Sequence, residues 1–383
     1  MGSLQRAVNI ADLRRIARAR LPRVVFDYLD GGAEDERTLR ANVRAFRRWN
    51  FRPHHGVKLP ALDLSVTVMG QKLAWPAMAA PIGYTGLMHR DGESGVGRAA
   101  ARAGIASVLS TISGTRLEDV AATGAPLFLQ IYLVGGRAAG EATIARAQAA
   151  GVKGLFLTID TPVGGLRERD VRNGLAQLMG RDLFAKARYL PDILAHPGWL
   201  ADYLMGARMS HLPNVVIPGE GPMPLIEVAS ALQRSVVSWD DLPWIRARWT
   251  GPIAIKGVLT AEDARRAVDA GADAVVVSNH GGRQLDGVAA GLEALPEVAA
   301  AVGGQCEVLM DGGIRRGGDI VKALALGARA VLLGRGTAYG LAAGGEKGVD
   351  RALAMFQADL ARTMMLLGCA SVTQLGATHL EKR

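Results

Sequence analysis

A (β/α)8 barrel, the TIM barrel, is the α/β fold that this 383-residue sequence predicts. Three observations lead to it. From about residue 76, short apolar, β-rich runs alternate with Ala-rich stretches that carry charges every three to four positions, a texture that argues for a parallel sheet covered by helices. Eight such runs occur, each followed by a helical pattern. Four helix-to-strand joints repeat one phrase: Ala103-Gly104-Ile105-Ala106, Ala150-Gly151-Val152-Lys153, Ala270-Gly271-Ala272-Asp273 and Leu326-Gly327-Ala328-Arg329. In each, Gly supplies the left-handed cap that ends a helix before the next strand. An open doubly wound sheet is the alternative for the same alternation.

In chain order, residues 1–75 read as a helical, basic segment packing on a barrel that occupies 76–383. Ile10, Leu13, Ile16, Ala17, Leu21, Val24 and Val25 recur at helical spacing among arginines, which describes an amphipathic helix. The eight strands are expected at Pro76–Gly83, Ala106–Ser110, Leu127–Leu133, Leu155–Asp160, Ile253–Gly257, Ala274–His280, Val308–Gly313 and Ala330–Gly334. After the fourth, residues 174–237 form an irregular insertion with six of the sixteen prolines, exposing Trp199, Tyr203, Met205 and Met209 in a weakly charged context. Loops this long are lids, docking surfaces or disordered segments. A segment lying on a membrane surface and a lid or subunit contact both fit it. With these two stretches set aside, the remainder matches the roughly 250 residues that eight βα units need. Barrel structure resumes at Ser238-Trp239-Asp240-Asp241, a capping-box helix start.

Composition excludes several classes. At 49% hydrophobic and 21% charged, the chain has apolar surface enough to offset ordering entropy, so it is not a disordered protein. Cys306 and Cys369 are the only two cysteines, too few for a disulfide framework, and indicate a reducing compartment. No apolar run approaches the ~18 residues of a membrane-spanning helix. Neither a secretory signal nor an organelle address is read at the ends, and the expectation is a cytoplasmic protein. Net charge is +9, of which +7 falls in the first 60 residues. Those arginines lie on an amphipathic helix, without a helix-turn-helix, stacking platform or zinc pattern, so no nucleic-acid partner is expected. Metal binding is not expected either, because His54-His55 are adjacent and no Cys/His cluster exists. The glycines of 92–97 and 344–345 do not follow strands, which excludes a dinucleotide fingerprint.

On a barrel of this kind, chemistry gathers at the C-terminal strand ends. Strand one ends in Ala80-Pro81-Ile82-Gly83, small residues that let a flat ligand approach the backbone. Strand two ends in Ser110-Thr111-Ile112. Strand three ends in Gln130-Ile131-Tyr132, with Gln130 and Tyr132 on one side by the period of two. Strand four gives Thr158 and Asp160, then Arg167. Strand five ends in Lys256, a cation on an apolar strand that must find a partner. It suits either a Schiff-base lysine or a charge set against an anionic cofactor. Strand six ends in Ser278-Asn279-His280-Gly281-Gly282-Arg283, where His280 suits a general base oriented by Asp160. Strand seven ends in Asp311-Gly312-Gly313-Ile314-Arg315 and strand eight in Gly334-Arg335, a combination suited to phosphate.

Two of these runs, Ser278-Asn279-His280-Gly281-Gly282-Arg283-Gln284-Leu285-Asp286 and Asp311-Gly312-Gly313-Ile314-Arg315-Arg316-Gly317, resemble the FMN-dependent 2-hydroxy-acid oxidase/dehydrogenase family. The resemblance runs nearly end to end, from Tyr28-Leu29-Asp30-Gly31-Gly32-Ala33-Glu34-Asp35 to Gly368-Cys369. It implies that His280 removes the substrate's 2-hydroxyl proton with Asp160 supporting the imidazolium. Arg167 and Arg283 bind the carboxylate, joined by Tyr28, while Tyr132 meets the reacting oxygen. It implies FMN resting on Ile82-Gly83, held by Ser110, Gln130, Thr158 and Ser278, with Lys256 at the pyrimidine end. Gly313, Arg315, Gly334 and Arg335 grip its phosphate, and Asp311 is a further cofactor-binding residue. Hydride transfer to flavin N5 and a carbanion route both remain open. The substrate implied is an L-2-hydroxy acid, lactate or mandelate. The acceptor is a quinone, with an oxygen-using, peroxide-forming oxidase as the alternative. A homotetramer, peripheral on the inner face of the cell membrane through 174–237, completes the expectation. Ile112 stands where glycolate-oxidase-like members have Trp, and Gly83 where oxidases have Ala, so the pocket wall is smaller and admits a bulkier side chain. Gly174 follows Asn173 where many members have Arg.

Overall fold

The computed structural model describes residues 4–59, 61–174, 187–206, 211–233 and 236–383. Eight parallel strands close into a barrel in sequence order: β1 Ala77–Ala79, β2 Ala106–Ser110, β3 Leu127–Ile131, β4 Leu155–Thr158, β5 Ile253–Val258, β6 Ala274–Val277, β7 Glu307–Met310 and β8 Ala330–Leu333. β8 returns to β1 through Val331↔Ala77 and Leu333↔Ala79, which leaves the sheet no free edge. Six of the eight expected runs contain their strand, and the other two are overrun by one residue, at Val258 and at Glu307. The four joint glycines, Gly104, Gly151, Gly271 and Gly327, all have positive φ, between +67° and +109°. Ser238 and Asp241 form the expected capping box.

Inside the barrel, Met78, Val108, Phe128, Phe156, Ala254, Val276, Leu309 and Leu332 form one buried cluster. A short hairpin, Val66–Val68 with Gln71–Leu73, adds Val66, Val68 and Met69 to it and seals the end opposite the site. Apolar residues between strands and surrounding helices make the larger core.

Three N-terminal helices ride on the barrel: α1 Ile10–Arg20, α2 Arg23–Asp30 and α3 Arg37–Ala45. Asn9 caps α1 by accepting from the Asp12 amide at 3.0 Å, and its Ile10, Leu13 and Ala17 stripe is buried. Arg14 on α1 holds Asp30 on α2 through two hydrogen bonds of 2.6 and 2.7 Å. Asp286 accepts from the Arg37 and Thr38 amides at 3.0 and 2.7 Å, satisfying the start of α3.

Beyond β4 the chain leaves the barrel. Helices Leu190–Leu194 and Pro197–Met205 precede a hairpin of His211–Ile217 with Gly221–Pro224, and helix Val228–Gln233 follows. Trp199 is buried rather than exposed, 4% accessible, against the expectation. Its ring stacks on Tyr203 at 5.2 Å, and Nε1 donates to the Leu87 carbonyl at 2.7 Å. One turn apart, the two aromatics share the inward face, while Leu204 and Met205 point outward. Met209 lies outside the described residues. Gly174 ends helix Glu168–Asn173 at φ +68°, a conformation that favours glycine.

Candidate active site

Strand alternation fixes where the polar groups stand. Two positions beyond the apolar interior layer, the next inward residues are Ala80, Ser110, Gln130, Thr158, Lys256, Ser278, Asp311 and Gly334. The barrel therefore changes from apolar to small or polar at one level. Above it opens a cavity of about 710 Å³. Tyr28, Ile82, Gly83, Ser110, Ile112, Gln130, Tyr132, Thr158, Arg167, Lys256, His280, Arg283, Asp311, Gly313, Arg315, Gly334 and Arg335 line it. Asp160 and Ser278 do not line it, but each bonds a residue that does.

His280 Nδ1 lies 3.1 and 3.3 Å from the two Asp160 carboxylate oxygens. A carboxylate only accepts, so Nδ1 carries the proton and the Nε2 lone pair faces outward. Tyr132 Oη stands 3.4 Å from that Nε2. Burial opposes the charge on Asp160, but the His280 ring and its hydrogen bond, with Lys256, hold the carboxyl below its ordinary range. Burial, then the Asp160 charge, pushes the Tyr132 phenol well above its ordinary value, so it remains a donor. His280 itself has φ +57°, followed by Gly281 and Gly282 at +64° and +75°. Its amide donates to Ser278 Oγ at 3.1 Å.

Lys256 Nζ donates to Ser278 Oγ and to Asp311 Oδ2, both at 2.8 Å, and Ser278 Oγ donates to Asp311 Oδ1 at 2.6 Å. Burial works against the ammonium, yet Asp311 and Asp160 outweigh it and raise its pKa. A Schiff-base lysine needs a neutral amine, so of the two expected roles only the fixed cation survives. Across the floor, Ser110 Oγ donates to Gln130 Oε1 and Gln130 Nε2 to Thr158 Oγ1, each at 3.0 Å.

Two arginines face the cavity beside this floor. Arg283 donates to the carbonyls of Tyr28 at 2.6 Å and Gly31 at 3.2 Å and lies 4.8 Å over the Tyr28 ring. Burial first, and the charge of Arg167 second, pull Arg283 down to about 9. Arg167 Nε is buried with no hydrogen-bond partner among the described residues. Two cations so placed call for an anion between them. Tyr28 Oη donates to the Gly83 carbonyl at 3.2 Å. Arg335 commits donors to the carbonyls of Leu29 at 3.1 Å, Gly281 at 2.7 Å and Gly31 at 2.7 Å, leaving two of its five N–H groups for a ligand. The carbonyl end of α2 is thus tied down by the strand ends, which carries Tyr28 into the site.

Some lining residues carried no readable signal. Tyr84, at φ +59°, lies 5.8 Å from the Tyr28 ring. Leu225 and Leu232 reach the cavity from the insertion. Gln284 staples the loop after β4, donating to the Asp160 and Val163 carbonyls at 2.9 Å and accepting from the Gly165 amide at 3.1 Å. Its place in the His280 motif was visible; its partners, over 100 residues away, were not.

The family model for FMN-dependent dehydrogenases matches residues 17–382, and the chain belongs to that family. It is an FMN-dependent oxidoreductase. An L-lactate dehydrogenase of Caulobacter vibrioides is 42% identical over 98% of each chain. An L-lactate oxidase of Nostoc sp. is 40% identical over 99% of this chain and all of its own. The solved monotopic membrane protein (S)-mandelate dehydrogenase superposes with a TM-score of 0.90 at 39% identity, covering 99% of this chain and 100% of that one. The site fits FMN. Ile82 and Gly83 line one side, amide and hydroxyl groups cross the floor, and Lys256 is fixed beside them. The Gly312-Gly313 turn, φ +94° and +80°, lines the same cavity with Arg315 and Arg335. A Cβ on Gly313 would meet the Asn42 carbonyl at 2.0 Å, so α3 packs directly against that turn.

Proposed function

We propose that this chain oxidises an L-2-hydroxy acid, lactate or mandelate, to the 2-oxo acid. The observation that carries the reading is the Asp160–His280 pair, whose free Nε2 faces Tyr132 in a cavity that two arginines share. Bound FMN supplies the two-electron acceptor for the substrate's C2–H bond. Arg167 and Arg283 clamp the substrate carboxylate, with Tyr28 beside them. His280 Nε2 takes the C2 hydroxyl proton, and Asp160 stabilises the imidazolium that results. Tyr132 donates to the same oxygen. Ser110, Gln130, Thr158 and Lys256 hold the cofactor's ring; Ser278, expected among them, lies behind the lining and with Asp311 fixes Lys256. Gly313, Arg315, Gly334 and Arg335 hold its phosphate.

In this reading the electrons leave to a quinone at a membrane surface. Similarity to a monotopic membrane protein supports it, together with Leu190, Leu194, Leu204 and Met205 of the insertion, each more than half exposed. Among the described residues no helix is long and apolar enough to cross a membrane. The homotetramer rests on the family resemblance alone. Identity to an L-lactate oxidase favours a second reading in which oxygen is the acceptor. Admitting air to substrate-reduced enzyme separates the two: slow reoxidation, accelerated by a quinone, supports the dehydrogenase, and rapid reoxidation with peroxide supports the oxidase.

A further inference from the structure

The hairpin of the insertion is anchored by one buried amide. Asn214 is 1% exposed. Its Oδ1 accepts from the Leu117 amide at 2.8 Å, its Nδ2 donates to the Thr115 carbonyl at 2.9 Å, and its own carbonyl accepts from Thr143 Oγ1 at 3.0 Å. Arg146 adds a bond to the neighbouring Pro213 carbonyl at 2.8 Å. Thr115 in turn donates from Oγ1 to Glu93 at 2.6 Å. The amide therefore reads both a donor and an acceptor of the loop that follows β2. That loop also carries Ile112.

Ile112 is one wall of the cavity, and Leu225 and Leu232 are another; with Tyr84 and Tyr132 they belong to a single apolar cluster. Ile112 presses toward the cofactor face, since a Cβ on Gly83 would lie 2.8 Å from its Cδ1. The distance between Ile112 and the two leucines is thus set by how the hairpin docks on the loop after β2. We infer that Asn214 is a positioning residue for substrate choice. It holds the hairpin so that Ile112, Tyr84, Leu225 and Leu232 form a receptor for an apolar C2 side chain of about phenyl size. Asn214 touches no reacting atom and acts through those leucines. The inference rests on the proposed oxidation of 2-hydroxy acids at this site.

The test uses the purified holoenzyme with (S)-mandelate and L-lactate as probes, steady-state turnover with a soluble dye as the readout, and anaerobic flavin bleaching as the check that the unaltered enzyme oxidises each acid. Asn214→Ala is expected to lower the mandelate-to-lactate ratio of kcat/KM about tenfold, the scale of discrimination that a loosened apolar pocket loses. Most of the change falls in KM for mandelate, with kcat for lactate within about threefold. Leu232→Ala, which leaves every Asn214 bond intact, is expected to move the ratio the same way and covers the case of an Asn214 variant that does not fold. Asn214→Gln, keeping both the donor and the acceptor, restores part of the ratio. An unchanged ratio in Leu232→Ala, or in a folded Asn214→Ala, overturns the inference, as do equal losses on both acids. If neither acid bleaches the unaltered enzyme, it is the proposed oxidation that fails, a result distinct from all of these.

Discussion

His280 occupies a left-handed backbone conformation at φ +57°, which for a side chain of this kind costs ~1–3 kcal/mol and persists only where the surroundings fix it. Here the Ser278 hydroxyl and the two following glycines do so, aiming Nε2 into the cavity. His280→Ala should retain FMN and lose flavin reduction by substrate at least ~10²-fold, the usual share of a general base; stopped-flow absorbance checks it. Ile112→Trp should disfavour mandelate relative to lactate, since the larger ring fills the space between Gly83 and the leucines; the ratio of kcat/KM for the two acids measures it. Much of this site was legible, because period-two alternation places Ser110, Gln130, Thr158, Lys256, Ser278 and Asp311 on the inner surface. Tyr84, Leu225 and Leu232 were not. They reach the cavity through loop geometry, which leaves no periodic trace.

At the scale of elements, α2 connects the N-terminal segment to the site. Asp30 at its end accepts from Arg14 and from the Tyr339 hydroxyl at 2.7 Å. Burial opposes the charge, but these partners hold its carboxyl at about 2 against an ordinary 3.8. A depressed carboxyl contributes stability above its unfolded value and loses it as the pH falls through its folded one. Ionised Asp30 therefore contributes about 2 kcal/mol above pH ~4, lost as the pH falls toward 2. Asp30→Asn should remove that amount at neutral pH and flatten the acid limb over this window, read from urea unfolding at several pH values. The insertion divides by face in the same way. Replacing Leu194, Leu204 and Met205 by Ser should reduce co-sedimentation with lipid vesicles while leaving turnover with a soluble dye unchanged; unaltered sedimentation would contradict the membrane reading. Composition alone placed Trp199 outside, because an amphipathic helix of nine residues with five aromatic or long apolar side chains gives no sign of which face docks. Its indole N–H to the Leu87 carbonyl decides that, and such a partner is invisible in sequence.

For the whole molecule, the barrel was the most legible feature: eight alternations and four repeated Gly joints leave few other folds. Less legible was how the N-terminal helices seat on it, since that depends on Asp286, Arg283 and Arg335 reaching segments some 250 to 300 residues away. Binding of FMN at the strand ends should stabilise the fold as a whole. FMN at ~100 times its Kd should stabilise the apoprotein by about 2.7 kcal/mol, seen as a rise in Tm with FMN concentration. The decisive measurement is an anaerobic visible spectrum of the FMN-loaded protein titrated with L-lactate and, separately, with (S)-mandelate. Bleaching of the flavin bands by at least one of these acids, with the 2-oxo acid formed in equal amount, is the predicted result. A protein that holds FMN, folds normally and stays yellow with both acids would contradict the assignment of His280, Arg167 and Arg283 to 2-hydroxy-acid oxidation.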